Sequence, residues 1–426
     1  MMQVEVLVIG GGAAGLLAAI RTAERGRGTL LIEKTPRLGT KILMSGGTRC
    51  NITQATDERG IVRAFGRPGP FLHSALAALG PDALLELFHA EGVATKVEET
   101  GKIFPNSDSA SDVRDALQRR LHRSGCTVAL NEPVVGIERL DERFQVVTNT
   151  RTIQAEKVVI ATGGKSYPGS GTSGDAYAWL TALGHRVVPP RPALTPLTTN
   201  AVWVTQLSGV TIADVGVSLW PTDRTPMSTE LAQTKARSKK PRPMAETRGS
   251  FLFTHFGMSG PAVLDISRYV TESSVPHTLA VHLDFLPSHR QAAVETELNE
   301  LCNCEGREVV SHAIFRALPR RLVVALLQQC GIDEQLRLAE LPRGARAKLV
   351  ASVKQSTVPL SGARGFAKAE VTAGGVALDE VDSRTMQSKI VPNLFLVGEV
   401  LDLDGPIGGY NFQAAFSTAW LAGSSL

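Results

Sequence analysis

Glycines at 10, 12 and 15, with the acid Glu33 18 residues after the last of them, are the positions of this 426-residue chain whose chemistry is easiest to name. Each glycine leaves the backbone bare for a mechanical reason. Gly10 allows a tight turn, Gly12 lets a diphosphate approach main-chain N–H groups, and Gly15 lets a helix pack closely on the preceding strand. The helix's free N–H groups and positive end then hold the diphosphate. Glu33 can accept hydrogen bonds from both ribose hydroxyls of an adenosine, and an acid there disfavours a 2′-phosphate. The chemistry is dinucleotide binding.

These residues need a frame to aim them. The apolar run VEVLVI at 4–9 predicts a strand buried on both faces. AAGLLAAIRTAERG predicts a helix that closes at Gly26, and TLLIE predicts a second strand ending on Glu33. A second match to the same spacing, GSGTSG at 169–174, lacks the frame. Its upstream strand, KVVIATGG, is separated from Gly169 by KSYP, and the prolines of VVPPRPALTP occupy the place of the acid. It reads as a loop capping the helix DAYAWLTALG, so one dinucleotide site is expected.

The remainder of the chain selects FAD over NAD. After Glu33 comes KTPRLGTKILMSGGTRCN, a long glycine-bearing loop where a plain dehydrogenase would begin its next helix. Near the far end, NLFLVGEVLDLDGPIGGYNFQAAFSTAWLAG supplies a strand, Gly398 and Glu399, the pair Gly408 and Gly409, and a helix. A second helix N-terminus returning to the first suits a cofactor that extends well past its adenosine. Glu399 can accept from a ribityl hydroxyl. Peptide N–H groups around Gly409 and Asn411 can face the N1–C2=O edge of an isoalloxazine and stabilise its reduced anion.

The motifs SGGTRCN, GGKSYPGSGTSGDAYAWLTALGH, FTHFGMSGPAVLDIS, AEVTAGGVALDEV and GEVLDLDGPIGGYNFQAA, in that order over nearly the whole chain, resemble the BaiN/RdsA (HI0933-like, YhiN) family of FAD-dependent oxidoreductases. Thr48 departs from the pattern, which expects a third glycine there. The resemblance implies an α/β fold with a discontinuous, glutathione-reductase-type Rossmann-like FAD-binding domain. An inserted β-barrel-like domain interrupts it, and a small helical domain interrupts that in turn. The resemblance also implies FAD held by Gly10, Gly12, Gly15, Glu33, Lys34, Gly39, Lys41, Ser45, Gly46, Gly398, Glu399, Gly409 and Asn411. Ala13, Ala14, Asn51, Val134, Ala161, Thr162, Gly163 and Gly408 complete the expected cofactor contacts.

Pattern supports that layout. Residues 1–192 carry the first FAD-domain part, and short alternating strands such as VWVTQLSGVTIADVGVSLW fill 193–287. Residues 288–350 turn helical and lightly basic, as in RRLVVALLQQCG and LPRGARAKLVASV, and 351–426 return through the β-rich part to the FAD domain. The net charge is only +4, so any affinity for nucleic acid must come from a local patch. Five scattered cysteines (Cys50, Cys126, Cys302, Cys304, Cys330) argue against a disulfide framework and for a reducing, cytoplasmic setting. No metal site is expected. Residues 4–20 lack the basic start of a secretion signal, and no other apolar run reaches the roughly 20 residues that a bilayer requires.

One FAD site without a C-x-x-C pair or a second nucleotide fold argues against a dithiol reductase. NADH or NADPH would then visit the flavin transiently as reductant. The expected chemistry is hydride exchange at flavin N5, with a protein group handling a proton. Reduction of a polarised C=C bond and oxidation of a C–H beside an amine or carbonyl fit equally. His255 is the first candidate for the proton donor, Tyr167 and Tyr410 are the alternatives, and Arg49 is an electrostatic candidate. Each has a plainer role available: a core imidazole, a packed ring, or a surface charge. Cys50 can lie near the isoalloxazine or serve as a small buried hydrophobe. The stretch KARSKKPRPMAETR at 235–248 is either a solvated loop or a phosphate clamp, the latter assisted by Arg316, Arg320, Arg321, Arg343, Arg346 and Lys348. The resemblance implies substrates from steroid-like enones to the uracil C5=C6 bond of large-subunit (23S) ribosomal RNA, and the basic stretch leans toward RNA. The alternatives are a flavoprotein oxidase or dehydrogenase of a small amine or enone, and a flavin-containing RNA- or ribosome-binding factor with little redox activity.

Overall fold

The computed structural model describes residues 2–222 and 242–426; the basic stretch up to residue 241 lies outside them. The chain divides into two compact units, one running to Ala193 and resuming with Phe366–Leu426, the other Leu194–Gly365. The first division falls just after the proline-rich segment expected to mark a crossing. That segment is itself a strand, Val187–Ala193, paired antiparallel with Val371–Val376 and broken by an irregularity between Val188 and Arg191. Prolines cannot donate to a ladder, which confines such a strand to a two-stranded ribbon or an edge.

The first unit opens with strand β1 (Met2–Ile9), helix α1 (Ala13–Glu24) and strand β2 (Thr29–Ile32). It continues through β3 (Thr127–Ala129), β4 (Val134–Leu140), β5 (Arg143–Thr148) and β6 (Thr152–Ile160), and closes with β7 (Leu394–Leu396) and α2 (Tyr410–Ser425). Their sheet has the order β3-β2-β1-β6-β5-β4, with β7 also on β6. Strands β3, β2, β1, β6 and β7 run parallel, β5 joins β6 antiparallel, and β4 joins β5 antiparallel at the edge. The nine-residue β6 serves both arrangements. Its start pairs with β5 through Thr152 and Ala155, and its end pairs with β7 through Val158 and Ile160.

Burial on both faces explains the unbroken apolar run of β1. Val6 and Val8 enter the core on one face, and Leu7 and Ile9 the core on the other. Each fully buried aliphatic side chain contributes about 2 kcal/mol of transfer free energy. Helix α1 lies on the first face and ends where Gly26, at φ 82°, donates its N–H to the Ala23 carbonyl. Helix α2 packs on α1 so closely that a Cβ on Gly423 would stand 2.9 Å from the Ala18 carbonyl oxygen.

In the second unit, seven strands among the described residues pair antiparallel in one sheet, with Ala245–Thr254 at its centre and Thr211–Pro221 between it and Leu279–Asp284. Helices Gln291–Cys304, Arg320–Gln329 and Arg343–Lys354 bury Leu298, Leu322 and Leu349 in the same core as Val217 and Phe253 of the sheet. The β-rich and helical stretches thus share one core. One local expectation is corrected. VWVTQ forms a short helix, Val202–Gln206, rather than a strand. The Thr199 hydroxyl accepts the Ala201 N–H at 3.1 Å and turns the chain before the β-branched residues can extend.

A buried imidazole ties the Val187–Ala193 ribbon to its surroundings. The side chain of His185 is fully buried between Glu380 (3.1 Å) and the Ser388 hydroxyl (2.9 Å). Burial lowers its pKa, and the Glu380 carboxylate offsets only part of that effect. A histidine whose folded pKa is depressed contributes stability that is complete above its unfolded pKa and is lost as pH falls through the folded one. The first unit should therefore lose stability as pH falls below about 6.5. Denaturant midpoints measured across that range should show this loss, and His185→Gln should remove part of it.

Candidate functional site

A cavity open to solvent, with an empty volume of about 1340 Å³, lies at the C-terminal ends of β1, β2 and β6. Every residue lining it belongs to the first unit. Of the residues expected to hold a cofactor, it brings together Gly10, Gly12, Ala13, Ala14, Glu33, Lys34, Gly39, Lys41, Val134, Ala161, Thr162, Gly163, Gly398, Glu399 and Asn411. Gly15, Ser45, Gly46, Asn51, Gly408 and Gly409 stand outside its lining.

The three fingerprint glycines have distinct jobs. A Cβ on Gly10, at φ 103°, would lie 2.6 Å from the Ala161 carbonyl oxygen, and one on Gly15 would lie 1.7 Å from the carbonyl oxygen of Gly10. Both are needed for the chain to pack. A Cβ on Gly12 would meet nothing within 4 Å. Gly12 faces open space, and it is the N-cap of α1, whose first turn no side chain caps. A helix start left uncapped beside a cavity is a site for an anion, so a diphosphate fits.

Glu33 is held rather than free. It accepts the N–H of Gly11 at 2.6 Å and of Thr35 at 2.8 Å, which fixes the carboxylate at the cavity edge. The GSGTSG loop, read from the sequence as a helix-capping loop only, closes this end. Ser170, Gly171, Thr172, Ser173 and Gly174 all line the cavity. Lys34 donates to the Ser173 hydroxyl and to Asp175, both at 2.5 Å. Burial raises the Asp175 carboxyl, but the Lys34 and Ser173 hydrogen bonds outweigh it and leave its pKa lowered. Glu132 is a further wall residue that sequence reading missed. Arg151 grips it through two 2.8 Å contacts and Thr148 donates at 2.9 Å. The repeated glycine motif was the available signal for the loop; nothing in sequence marked Glu132.

Four segments meet at Glu399. Lys41 donates to it at 2.6 Å and to the Ser166 hydroxyl at 2.6 Å; Ser166 donates to the other carboxylate oxygen at 2.7 Å, and the Thr372 N–H to that same oxygen at 2.9 Å. The Thr372 hydroxyl in turn accepts the N–H groups of Lys165 and Ser166. Expected from sequence as a partner for a ribityl hydroxyl, Glu399 is also the knot that joins these segments around the cavity.

At the far end, α2 starts from Gly409 at φ 89°, again without a side-chain cap. A Cβ on Gly409 would stand 2.6 Å from the Thr53 carbonyl oxygen. Asn411 spends its side chain on the preceding loop: its Oδ1 accepts the Gly405 N–H at 2.8 Å and its Nδ2 donates to the Gly405 carbonyl at 3.0 Å. Gly398 donates its N–H to the Thr418 hydroxyl, and its own missing Cβ leaves room for Ala14.

The loop between these ends is strained. Gly46, Gly47, Thr48 and Cys50 all have positive φ, at 55°, 66°, 73° and 61°. This explains why glycine is expected at 48, since a β-branched residue is costly there. Thr48→Gly should therefore raise stability by about 1 kcal/mol, read as a shift in denaturant midpoint. Cys50 is fully buried and burial pushes its thiol up to about 12, which makes it a packing residue. Arg49 has its charge engaged: it donates to Glu98 at 2.6 Å and lies over the Phe104 ring at 4.0 Å.

The proton-donor candidates are scattered. Tyr167 sits at φ 51° and is half-buried; burial and then the Glu370 charge raise its pKa, so it remains a phenol at neutral pH. Tyr410 is the first residue of α2, with its ring over Gly408. His255 belongs to the second unit, where it is exposed between two strands and packs edge-on against Phe256 at 4.9 Å. Arg242 and Arg248 are the described basic residues of the 235–248 stretch, and Arg248 is paired with Asp214 at 2.7 Å. Among the described residues no cluster of His, Cys, Asp and Glu could hold a metal ion, and no single helix is long and apolar enough to cross a membrane.

A Rossmann-type α/β fold with a glycine-fronted helix start and a second helix start at one cavity is the architecture of an FAD-dependent oxidoreductase. The chain belongs to the HI0933-like family: residues 4–425 match the HI0933-like protein Rossmann domain. It is 34% identical over 427 residues to the ribosomal RNA dihydrouridine synthase of Escherichia coli (strain K12), covering 100% of this chain and 98% of that protein. It is 30% identical over 421 residues to the 3-dehydro-bile acid delta(4,6)-reductase of Clostridium scindens, covering 98% and 97%. Among solved structures, the 3-ketosteroid-delta4-(5alpha)-dehydrogenase of Rhodococcus jostii RHA1 is similar at 14% identity, with a TM-score of 0.48 over 100% of this chain and 96% of that one.

Proposed function

We propose that this chain uses FAD to reduce the C5=C6 bond of a uracil in large-subunit ribosomal RNA, with NADH or NADPH as the electron source. The observation that carries this reading is full-length similarity, at 34% and 32% identity, to two proteins named ribosomal RNA dihydrouridine synthase. Bound FAD supplies hydride transfer through N5. The protein's own part is then to hold and to protonate. The first turn of α1 would hold the diphosphate, Glu33 the adenosine ribose, and Glu399 with Lys41 the middle of the cofactor, with the N–H groups at the start of α2 available to its ring system. One carbon of the double bond receives the hydride and the other a proton, for which His255 is the first candidate and Tyr167 the second.

Stopped-flow absorbance tests this. NADH or NADPH should bleach the bound flavin, and rRNA from cells lacking the protein should restore its colour with formation of dihydrouridine. His255→Asn or Tyr167→Phe should slow the restoring step by about 100-fold or more if that residue gives the proton, while the bleaching rate stays unchanged. The 30% identity to a bile-acid reductase favours a second reading, a steroid-like enone as acceptor. Restoration of colour by an enone and not by rRNA would select it.

A further inference from the structure

The second unit's sheet carries an aromatic pair that its core does not use. Along Thr211–Pro221, Val215, Val217 and Leu219 enter the core, so the alternation of a strand turns Gly216, Ser218 and Trp220 to the other face. Trp220 is half-buried there and stacks on His282 of the neighbouring strand, with ring centroids 5.4 Å apart and planes 20° apart. Two hydrogen bonds set the pair: the indole N–H donates to the Ser218 hydroxyl at 2.9 Å, and Gln355 Nε2 donates to His282 Nδ1 at 3.1 Å. Burial lowers the His282 pKa, so the imidazole is neutral at pH 7 and the stack is an uncharged platform. Glu246 stands beside it, since strand pairing sets Ser218 between Glu246 and His282. Its side chain is exposed, and among the described residues its carboxylate has no hydrogen bond or ion pair. Trp220, His282 and Glu246 line one solvent-open groove of about 1170 Å³ within the second unit, together with Arg248 and Lys354. Lys354 is spent on Asp284 at 2.6 Å. Arg248 donates through Nε and Nη2 to Asp214 and through Nη2 to Ser288, which leaves the N–H groups of Nη1.

We infer that this groove binds an unpaired guanosine of an RNA chain, its base stacked on the Trp220 platform and its N1–H and 2-amino groups donating to Glu246. The inference rests on the proposed ribosomal RNA substrate and names a surface, apart from the cofactor cavity, that would hold it. Single-stranded RNA is recognised by laying splayed bases on aromatic rings and reading their edges. A carboxylate only accepts, through two oxygens. Guanine sets two donors side by side on its pairing edge, one for each oxygen. Adenine and cytosine place a ring acceptor beside their one amino group, and uracil flanks its one N–H with carbonyls, so each turns a lone pair toward Glu246. The free Nη1 of Arg248 then suits a neighbouring phosphate. An arginine side chain also matches a ring beside a carboxylate, but it would bring a further cation to a groove that Arg248 and Lys354 already line.

Fluorescence anisotropy of the full-length protein with labelled RNA hexamers tests this, using oligouridine with a single guanosine, inosine or adenosine at its third position. Wild type should bind the guanosine hexamer about tenfold more tightly than the adenosine one, with inosine, which lacks only the 2-amino group, in between. Glu246→Gln, with one acceptor in place of two, should lose most of that preference. Trp220→Ala should weaken all three hexamers by about tenfold, and Trp220→Phe, which keeps a ring, by clearly less. Denaturant midpoints close to wild type in these variants separate loss of binding from loss of fold. A wild type without base preference, or a guanosine preference that Glu246→Gln retains, overturns the assignment even if the protein forms dihydrouridine in rRNA. A preference that follows Glu246 and Trp220 in a protein that forms no dihydrouridine upholds the groove and removes the reductase reading. Binding of the peptide acetyl-Gly-Arg-Gly-amide in place of the hexamers, lost in Glu246→Gln, would give the groove to a protein partner and overturn the nucleotide assignment.

Discussion

Gly12→Asp is expected to yield a folded, colourless protein. The new side chain enters space that is open for 4 Å around its Cβ, and φ −77° with ψ −170° suits any residue. Aspartate is moreover a good N-cap, so it should satisfy N–H groups in the first turn of α1 and leave the cofactor-free fold within about 0.5 kcal/mol of wild type. The same carboxylate would sit where the diphosphate belongs, with its charge opposed to two phosphates and the helix start already occupied. FAD affinity should fall by at least about 100-fold, equivalent to about 2.7 kcal/mol. Gly15→Ala should behave in the opposite way. Its Cβ would stand 1.7 Å from a backbone oxygen, so the strand-helix junction must open and stability itself should fall by about 3 kcal/mol or more. Denaturant unfolding of the cofactor-free proteins and titration with FAD distinguish the two. Loss of stability in both variants, with affinity unchanged in Gly12→Asp, would show that the space in front of Gly12 is not the diphosphate site.

Lys41→Met should give the second large effect. The Lys41–Glu399 pair retains 25% and 17% side-chain exposure, so it is screened more than a core ion pair. Removing the cation leaves a carboxylate that keeps only Ser166 and the Thr372 N–H, and about 2 kcal/mol of stability should be lost. Glu399→Gln in the same chain should return about half of it, because a neutral amide can still bridge Ser166 and Thr372 while no buried charge is left unpaired. FAD affinity should fall in Lys41→Met as well, since the knot fixes residues of four segments around the cavity. Full additivity of the two substitutions would mean that the pair does not act as a unit.

Much of the candidate site was legible in sequence because its frame is local. The glycine spacing, the buried strand before it and the acid after it lie within 33 residues of the chain, and local geometry enforces them: a bare turn, an uncapped helix start, a carboxylate at a strand end. The helix at 410–425 was legible for the same reason, from the glycine pair that precedes it. The expectation that residues 10 and 398 serve one cavity rested on the length of the cofactor, and the contact of Gly398 with Ala14 brings those glycines together. Thr48 is a case in which a departure from pattern acquired a cause only from a torsion angle.

Sequence by itself determined the dinucleotide fold, because strand burial and helix starts depend on neighbours a few residues away. Only the tertiary structure decided how the far segments are used. The GSGTSG loop joins the wall at Glu33 through Lys34, and Glu399 is bound by Lys41, Ser166 and Thr372. The partners in these contacts are separated by 27 to 358 residues except where Lys34 adjoins Glu33. Hydrogen bonds across such distances leave no periodicity in a chain: any hydroxyl, amide or carboxylate of the right reach can make them, and which ones do so is settled when the sheet and its helices pack.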